Sequence, residues 1–201
     1  MRRLLLYAEQ VGRPSVKEQL VDRTRDLLMT RGFEGASVGA LVIEAGVPKG
    51  SFYNHFPSKE LFAVEHVHRY VQSLDLGSLS QDAGSALDTV RRHFEQQIAL
   101  RQDGTVPPSC LLGTLSTTVT AEYPVLLAAV RQGFCDWIAA LTAVLERASA
   151  AGELGTDRSP SDIAAALVDS FEGAVARARA TQHWDPLMNF MAVTFVALTH
   201  A

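Results

Sequence analysis

The segment from Ser37 to Phe62 constrains the fold of this chain more than any other part of it. The pattern predicts two short helices joined by a tight turn at residues 45–48, then a second turn leading into a longer helix. Gly46 supplies the backbone freedom that a sharp turn needs. Phe52 and Phe56, four residues apart, are expected to face a core. The segment therefore predicts a helix-turn-helix, whose second helix lies in the major groove of DNA.

Helical periodicity dominates the rest of the chain, and no segment alternates polar and apolar residues as a strand would. Ser15, Ser37 and Ser58 are predicted helix N-caps. The fold class is all-α: residues 1–60 are predicted to form a DNA-binding three-helix domain with an N-terminal arm, and residues 61–201 a larger helical domain. Helices are expected at about 15–31, 38–45, 48–56, 59–76, 85–101, 109–120, 123–151, 161–181 and 186–199.

The charge is distributed unevenly along the 201 residues. Residues 1–60 carry nine Lys and Arg against seven Asp and Glu, a net +2, whereas the rest carries nine against fifteen, a net −6. A basic N-terminal part on an acidic body suits DNA contact by the first part alone. Two cysteines do not make a disulfide scaffold, no uninterrupted run approaches roughly 20 apolar residues, and the start lacks the features of a signal peptide. A cytoplasmic location without membrane contact is therefore expected.

Polar, basic and aromatic residues around the predicted turn are the candidates for DNA contact. Lys49 and Ser51 are candidate base contacts, while Tyr53, His55 and Lys59 are candidate phosphate contacts. Arg2 and Arg3 are a possible minor-groove arm. Solvated side chains and a purely structural helix-turn-helix are the alternatives. The full predicted DNA-binding set is Ser37, Val38, Lys49, Gly50, Ser51, Tyr53, Asn54, His55 and Lys59.

These residues carry a family resemblance. Ser37-Val38, Ala45-Gly46-Val47, Gly50, Phe52-Tyr53, His55-Phe56 and Ser58-Lys59-Glu60 together resemble the N-terminal domain of the TetR family of regulators. The resemblance implies a homodimer joined through the last two helices, palindromic operator DNA as partner, and release of DNA when a small molecule binds the C-terminal domain. Val42 and Pro48 depart from the family's usual alanine and serine or threonine.

The predicted C-terminal domain is rich in aromatic residues, most of which are expected in its core. Residues 109–116 resemble a helix start found in a TetR subgroup that includes acrylate- and electrophile-responsive repressors, with Thr114 in place of the subgroup's asparagine. A thiol near a helix N-terminus has its thiolate favoured, so Cys110 is either a covalent or redox sensor or a small buried residue. The candidate ligand-binding residues are Phe94, Ile98, Cys110, Leu111, Phe134, Trp137 and Phe171.

An enzyme and a helical protein-interaction adaptor are the competing functions. His66 and His68 are two residues apart, which places them on different faces of a helix, so no shared metal is expected. Residues 35–39 match the letters of a nucleophile elbow around Ser37, but that motif requires a preceding strand. No cofactor, metal or catalytic residue is therefore predicted, and a ligand-controlled DNA-binding repressor is preferred.

Overall fold

The computed structural model describes residues 15–81 and 84–199, and every described element is helical. The candidate arm with Arg2 and Arg3 lies outside the described residues. The helices are α1 (Val16–Gly35), α2 (Val38–Ala45), α3 (Lys49–His55), α4 (Lys59–Ser73), a 3₁₀ turn (Leu76–Ser80), α5 (Ala86–Gln102), α6 (Leu111–Thr118), α7 (Pro124–Ala150), α8 (Pro160–Thr181), α9 (Asp185–Asn189), a π-helical segment (Phe190–Phe195) and α10 (Val196–Thr199). The all-α prediction is confirmed.

Serine caps fix where several helices begin. Ser15 and Glu18 form a reciprocal capping box at the start of α1, and the hydroxyl oxygens of Ser37 and Ser58 accept backbone N–H groups of α2 and α4. The predicted stop of the first helix at Gly32 is a kink inside α1, where Gly32 has φ 70°. The three residues after the kink, 33–35, continue as a last helical turn that ends beside α6.

Two aromatic clusters form the centres of the two parts of the molecule. Phe52, Phe56 and Phe62 pack with ring centroids 4.9–5.8 Å apart between α3 and α4. Phe52 and Phe56 are buried, which confirms their predicted core role. The second cluster joins α5, α7, α8 and the π-helical segment, and its members are Phe94, Trp137, Phe171, Phe190 and Phe195.

Helix α7 lies against α4, α5 and α8 and so connects both parts of the molecule. Among the described residues it is the one helix long and apolar enough to cross a membrane, by length and composition only. Core helices share these properties, and Trp137 and Leu141 of α7 are fully buried in the protein. Polar residues interrupt this helix, so the sequence contains no uninterrupted apolar run there.

His66 in α4 and His93 in α5 are both buried. The Nε2 atom of His66 lies 3.2 Å from the hydroxyl of Thr24, and the Nε1–H group of Trp137 donates to Nε2 of His93 at 2.9 Å. Burial lowers the pKa of His66 to about 3 and that of His93 to about 4. His68 is exposed, so His66 and His68 do face different sides of α4, as predicted.

The low pKa of His93 predicts a loss of stability in mild acid. The unfolded chain takes up the imidazole proton below its ordinary pKa of about 6.5, whereas the folded chain takes it up only near pH 4, so stability falls as pH falls through this window. Between pH 7 and pH 5 we expect His93 to account for about 2 kcal/mol of the lost unfolding free energy. Urea unfolding at both pH values should show a smaller difference for His93→Gln than for the wild type. His68→Gln is the matched control, and an unchanged difference in His93→Gln would contradict the assignment.

Candidate DNA-binding surface and effector cavity

The turn between α2 and α3 is closed by backbone hydrogen bonds at Gly46. Gly46 adopts the left-handed conformation (φ 69°, ψ 35°), and its N–H donates to the carbonyl of Ile43 at 3.1 Å. The next N–H, of Val47, donates to the carbonyl of Val42 at 3.0 Å. This pair of bonds is a Schellman C-cap, for which glycine is the favoured residue. The Nη1 group of Arg23 in α1 also donates to the carbonyl of Ala45 at 3.4 Å, so the turn is fixed by its own backbone and by a contact with α1.

Ser37 stands at the start of α2. Its hydroxyl oxygen accepts the N–H of Ala40 at 3.1 Å, and because the side chain is exposed, its own O–H remains free to donate to a phosphate oxygen. Val38, next to it, is half-buried. Ser37 follows α1 rather than a strand, so the cap role predicted for it is confirmed.

Helix α3 presents one buried and one exposed side. Phe52 is its one buried residue, whereas Tyr53 has 57% of its surface exposed and Ser51 is half-buried. Pro48 precedes the helix as an N-cap without a side-chain hydrogen bond, as its departure from serine or threonine implies. The structure thus brings the candidate contact residues of α3 together on one solvent-facing surface: Lys49, Gly50, Ser51, Tyr53, Asn54 and His55.

Gly50 lies in the first turn of α3 and is exposed. A Cβ atom built on Gly50 would meet no protein atom within 4 Å. The protein's own packing therefore does not require glycine here, and the missing side chain leaves room only on the outer side of α3. That is the side which a major groove would contact.

Lys59 is placed differently from the other candidates. It is half-buried at the start of α4, with its Nζ 4.2 Å from the ring centroid of Phe33. Burial lowers the pKa of Lys59, and the nearby carboxylate of Glu34 opposes that effect. A phosphate contact by its side chain would compete with this cation–π contact. Its DNA role stays a prediction.

Glu60 links the DNA-binding part to the long helix α7. Its Oε1 accepts the backbone N–H of Val125 at 2.9 Å and of Leu126 at 3.1 Å. These are first-turn amides of α7, which have no partner within the helix. A tilt of α7 would therefore pull on the first turn of α4, next to Lys59. The sequence indicated Glu60 only as a first-turn acidic residue.

A cavity of about 870 Å³ lies between α6, α7, α8 and the last turn of α1. Its wall includes the apolar side chains of Phe134, Ile138 and Val175, hydroxyl groups from α1 and α6, and charged groups from α1 and α8. The remaining lining residues are Thr30, Arg31, Gly32, Ser109, Cys110, Gly113, Thr114, Ser116, Thr117, Thr118, Asp169, Glu172, Gly173, Ala176 and Arg179. Its size and mixed lining suit a small-molecule ligand.

Two of the seven predicted ligand-binding residues line this cavity, namely Cys110 and Phe134. The other five do not, because they pack inward: Phe94, Trp137 and Phe171 belong to the second aromatic cluster, and Ile98 and Leu111 are buried beside it. A ligand role for those five would require the aromatic cluster to open.

Cys110 is the N-cap of α6 and is buried. The hydroxyl of Tyr70 donates a hydrogen bond to its Sγ, with 3.1 Å between the oxygen and the sulfur. Burial, and then the neighbouring carboxyl of Glu172, raise the pKa of the thiol well above its ordinary value. The backbone N–H of Gly113 acts in the opposite direction but is the weaker influence. The expectation that the helix N-terminus favours the thiolate is therefore outweighed by desolvation.

Tyr70, Arg101 and Glu172 surround Cys110 and were not among the predicted site residues. Arg101 is buried and donates from Nη2 to the hydroxyl of Tyr70 at 3.2 Å and from Nη1 to the carbonyl of Gln97 at 2.6 Å. One signal in the sequence pointed to this network. A charged residue, Arg101, continues the face of α5 that carries Val90, Phe94 and Ile98, where a buried polar group is expected to have partners.

Two residues that line the cavity also form hydrogen bonds with α1 of the DNA-binding part. The guanidinium of Arg179 in α8 donates to the carbonyl of Thr30 at 2.6 Å, and the hydroxyl of Thr114 in α6 donates to the carbonyl of Met29 at 3.1 Å. Both carbonyls lie in α1 just before the kink at Gly32. Movement of α6 or α8 around a ligand would therefore reach α1 through these hydrogen bonds.

Known families match both parts of the chain. Residues 20–65 match the family described as bacterial regulatory proteins, tetR family, and residues 86–194 match the tetracyclin repressor-like C-terminal domain. The repressor DhaR of Mycobacterium sp. (strain GP1) is 28% identical over 94% of this chain and 94% of its own length. The repressor NemR of Escherichia coli K12 is 31% identical over 88% of this chain and 90% of its own length.

Solved structures share the fold. The reduced form of E. coli NemR has a TM-score of 0.77 at 28% identity, covering 89% of this chain and 94% of that one. The regulator CifR, solved with operator DNA, has a TM-score of 0.79 at 22% identity, covering 92% of this chain and 97% of that one. Because the C-terminal family model alone spans more than half of the sequence, the chain belongs to the TetR family of DNA-binding transcriptional regulators.

Proposed function

We propose that this regulator is a dimeric repressor that binds a palindromic operator through α3 and releases it when a small molecule occupies the cavity beside α6. The observation that carries the proposal is the position of that cavity. Its wall includes Thr30, Arg31 and Gly32 of α1, so an occupant touches the DNA-binding part itself. We assign the DNA-binding domain to residues 1–60 and the effector and dimerisation domain to residues 61–201.

The DNA contacts are assigned from exposure and chemistry. Tyr53 and His55 are placed to donate to phosphate oxygens, and Lys49 and Asn54 to reach base edges. CifR, which shares the fold, is solved on 26-base-pair double-strand operator DNA. We carry that binding mode over to this chain as part of the proposal. The proposal also includes a cytoplasmic location and no enzymatic activity.

The dimer is assigned to the C-terminal apolar surface, which we define as Met188, Val193 and Val196. These side chains are 42%, 62% and 39% exposed, although they belong to the same helical segment as the buried Phe190 and Phe195. Pairing of α8 and the last helical segment with their copies would cover this surface.

Gly50→Ala tests the DNA contact with little risk to the fold. The added methyl group meets no protein atom and replaces a helical glycine, so the unfolding free energy should be unchanged or higher by up to about 1 kcal/mol. The same methyl group points toward the groove, so operator affinity should fall on the order of tenfold, a change of about 1.4 kcal/mol.

Fluorescence anisotropy on the intergenic DNA that flanks its gene, preceded by footprinting, provides the measurement. Gly77→Ala is the control, since a Cβ there also meets nothing but lies far from α3. Absence of a protected palindrome at any salt concentration would reject DNA binding. Equal affinity of Gly50→Ala and the wild type would reject the assigned orientation of α3.

A covalent route through Cys110 is the second candidate for effector action, because its thiol lines the cavity. The raised pKa of that thiol favours a non-covalent effector instead. Adding an electrophile or oxidant to the anisotropy assay separates the two routes. Release from the wild type but not from Cys110→Ser would establish the covalent route, and equal release from both would exclude it.

A further inference from the structure

The wall of the cavity carries a carboxyl group, that of Glu172, with one oxygen left without a hydrogen-bond partner. Oε1 of Glu172 is buried and has no hydrogen-bond partner, and none of the ion pairs among the described residues includes Glu172. A buried acceptor left without a partner costs about 1–3 kcal/mol, and more when it is charged. Such an atom on a cavity wall indicates a position at which a ligand's donor would be bound.

The surrounding contacts explain why this oxygen stays without a partner. Arg101 is a buried cation, but its hydrogen bonds go to Gln97 and Tyr70, and its guanidinium stacks over Phe171 at 5.4 Å. Gly113 of α6 lacks a side chain, and the carboxyl of Glu172 packs against it in the space that a Cβ would fill. The absence of a side chain at Gly113 thus leaves the room that the Glu172 carboxyl occupies at the cavity wall.

A second polar atom lies on the same wall. The hydroxyl oxygen of Ser109 is buried, lines the cavity, and also has no hydrogen-bond partner. A hydroxyl oxygen accepts from the same kind of donor as a carboxylate. Together, Glu172 and Ser109 offer two acceptors to one group that carries several N–H bonds.

The charges of the cavity are separated along its length. The acidic side chain of Glu172 lies at the buried end, whereas Arg31 and Arg179 are exposed, and Arg179 is already bonded to the carbonyl of Thr30. Asp169, one helical turn before Glu172, also lines the cavity but is exposed. An anion would be repelled by the buried Glu172 carboxylate, whereas a cation would be attracted to it, and the low dielectric there strengthens the interaction.

We propose that the effector is a small organic cation whose ammonium group donates hydrogen bonds to Oε1 of Glu172 and to the hydroxyl of Ser109. Its apolar part packs against Phe134, Ile138 and Val175. This inference rests on the proposed function and specifies the effector class of the same cavity. A charge-assisted hydrogen bond is about twice as strong as a neutral one, which selects the ammonium over a hydroxyl group of the same shape.

Benzylammonium, benzyl alcohol and benzoate form a matched set of probes with one ring and charges of +1, 0 and −1. Calorimetry on the full-length dimer at pH 7 gives the three dissociation constants, and operator anisotropy gives DNA release. We expect benzylammonium to bind on the order of tenfold more tightly than benzyl alcohol, and benzoate to bind most weakly. Glu172→Gln should abolish the preference for the cation, and Ser109→Ala should weaken it. Glu146→Gln, which removes an exposed carboxylate of α7 outside the cavity, should leave it unchanged.

The inference is overturned if benzoate binds at least as tightly as benzylammonium, if none of the probes binds at millimolar concentration, or if Glu172→Gln keeps the preference. Ser109→Ala offers a second route should Glu172→Gln fail to fold. Operator binding by the unliganded protein is recorded in the same anisotropy assay. Its absence would reject the proposed function, whereas intact operator binding without a preference for the cation would reject only the effector class.

Discussion

Val193→Glu is expected to convert the protein into a monomer and to weaken operator binding by about 100-fold or more. Val193 is 62% exposed at the centre of the C-terminal apolar surface. In a two-fold dimer the substitution places two carboxylates in one interface, and each loses hydration without gaining a partner. A monomer reaches a single half-site, so the gain from binding both half-sites at once is lost.

Light scattering and anisotropy on the same sample measure both effects. Ala143→Glu is the control, because Ala143 is exposed on α7, outside that surface and outside the contact between α7 and Glu60. Substitution there should leave both the mass and the affinity near the wild-type values. A dimeric Val193→Glu protein with normal affinity would place the interface elsewhere.

Phe94→Ala and Phe134→Ala are expected to separate folding from effector response. Phe94 is fully buried, with ring centroids of Phe171 and Phe190 within 5.3 Å and 5.0 Å. Its truncation leaves a hole in the second aromatic cluster and should cost about 4 kcal/mol, lowering the melting temperature by about 10 °C. Phe134 is half-buried on the cavity wall, so its truncation should cost only about 1 kcal/mol.

The effector response should change more in Phe134→Ala than in Phe94→Ala. Phe134→Ala removes apolar wall from the cavity and should shift the concentration of ligand needed to release the operator, while Phe94→Ala should leave that concentration nearly unchanged at a temperature where it is folded. Both variants must be compared at one protein concentration, because the stability of a dimer depends on it. A stable Phe94→Ala protein with an altered response would return Phe94 to the ligand-binding set.

The difference between these two phenylalanines shows where sequence reasoning succeeds and where it stops. The caps at Ser15, Ser37 and Ser58 and the turn at Gly46 were predictable because each depends on residues within a few positions of one another. The buried side of α3 followed from a four-residue spacing. These local rules were sufficient to predict which side of α3 is buried, and the assignment of its exposed side to DNA contact stays a prediction.

The effector cavity depends on contacts that no local rule supplies. Phe94 and Phe134 both lie on apolar helix faces, and only the packing of α5, α6, α7 and α8 decides which of them lines a space. Tyr70 and Arg101 meet although they are 31 residues apart, and Glu172 reaches Cys110 from a third helix. The sequence therefore predicted that aromatic residues and a cysteine would line the cavity, but of the seven candidates only Cys110 and Phe134 do so.

The contact between Gly113 and Glu172 has a consequence for how this protein and its relatives can diverge. Any side chain at position 113 would occupy the space of the Glu172 carboxyl. Substitution of the glycine is therefore tolerable only after residue 172 has become shorter or has turned away, so the order of the two changes is fixed. We expect the two positions to vary together among related sequences, and a lineage that abandons this carboxyl to be free to fill position 113 afterwards.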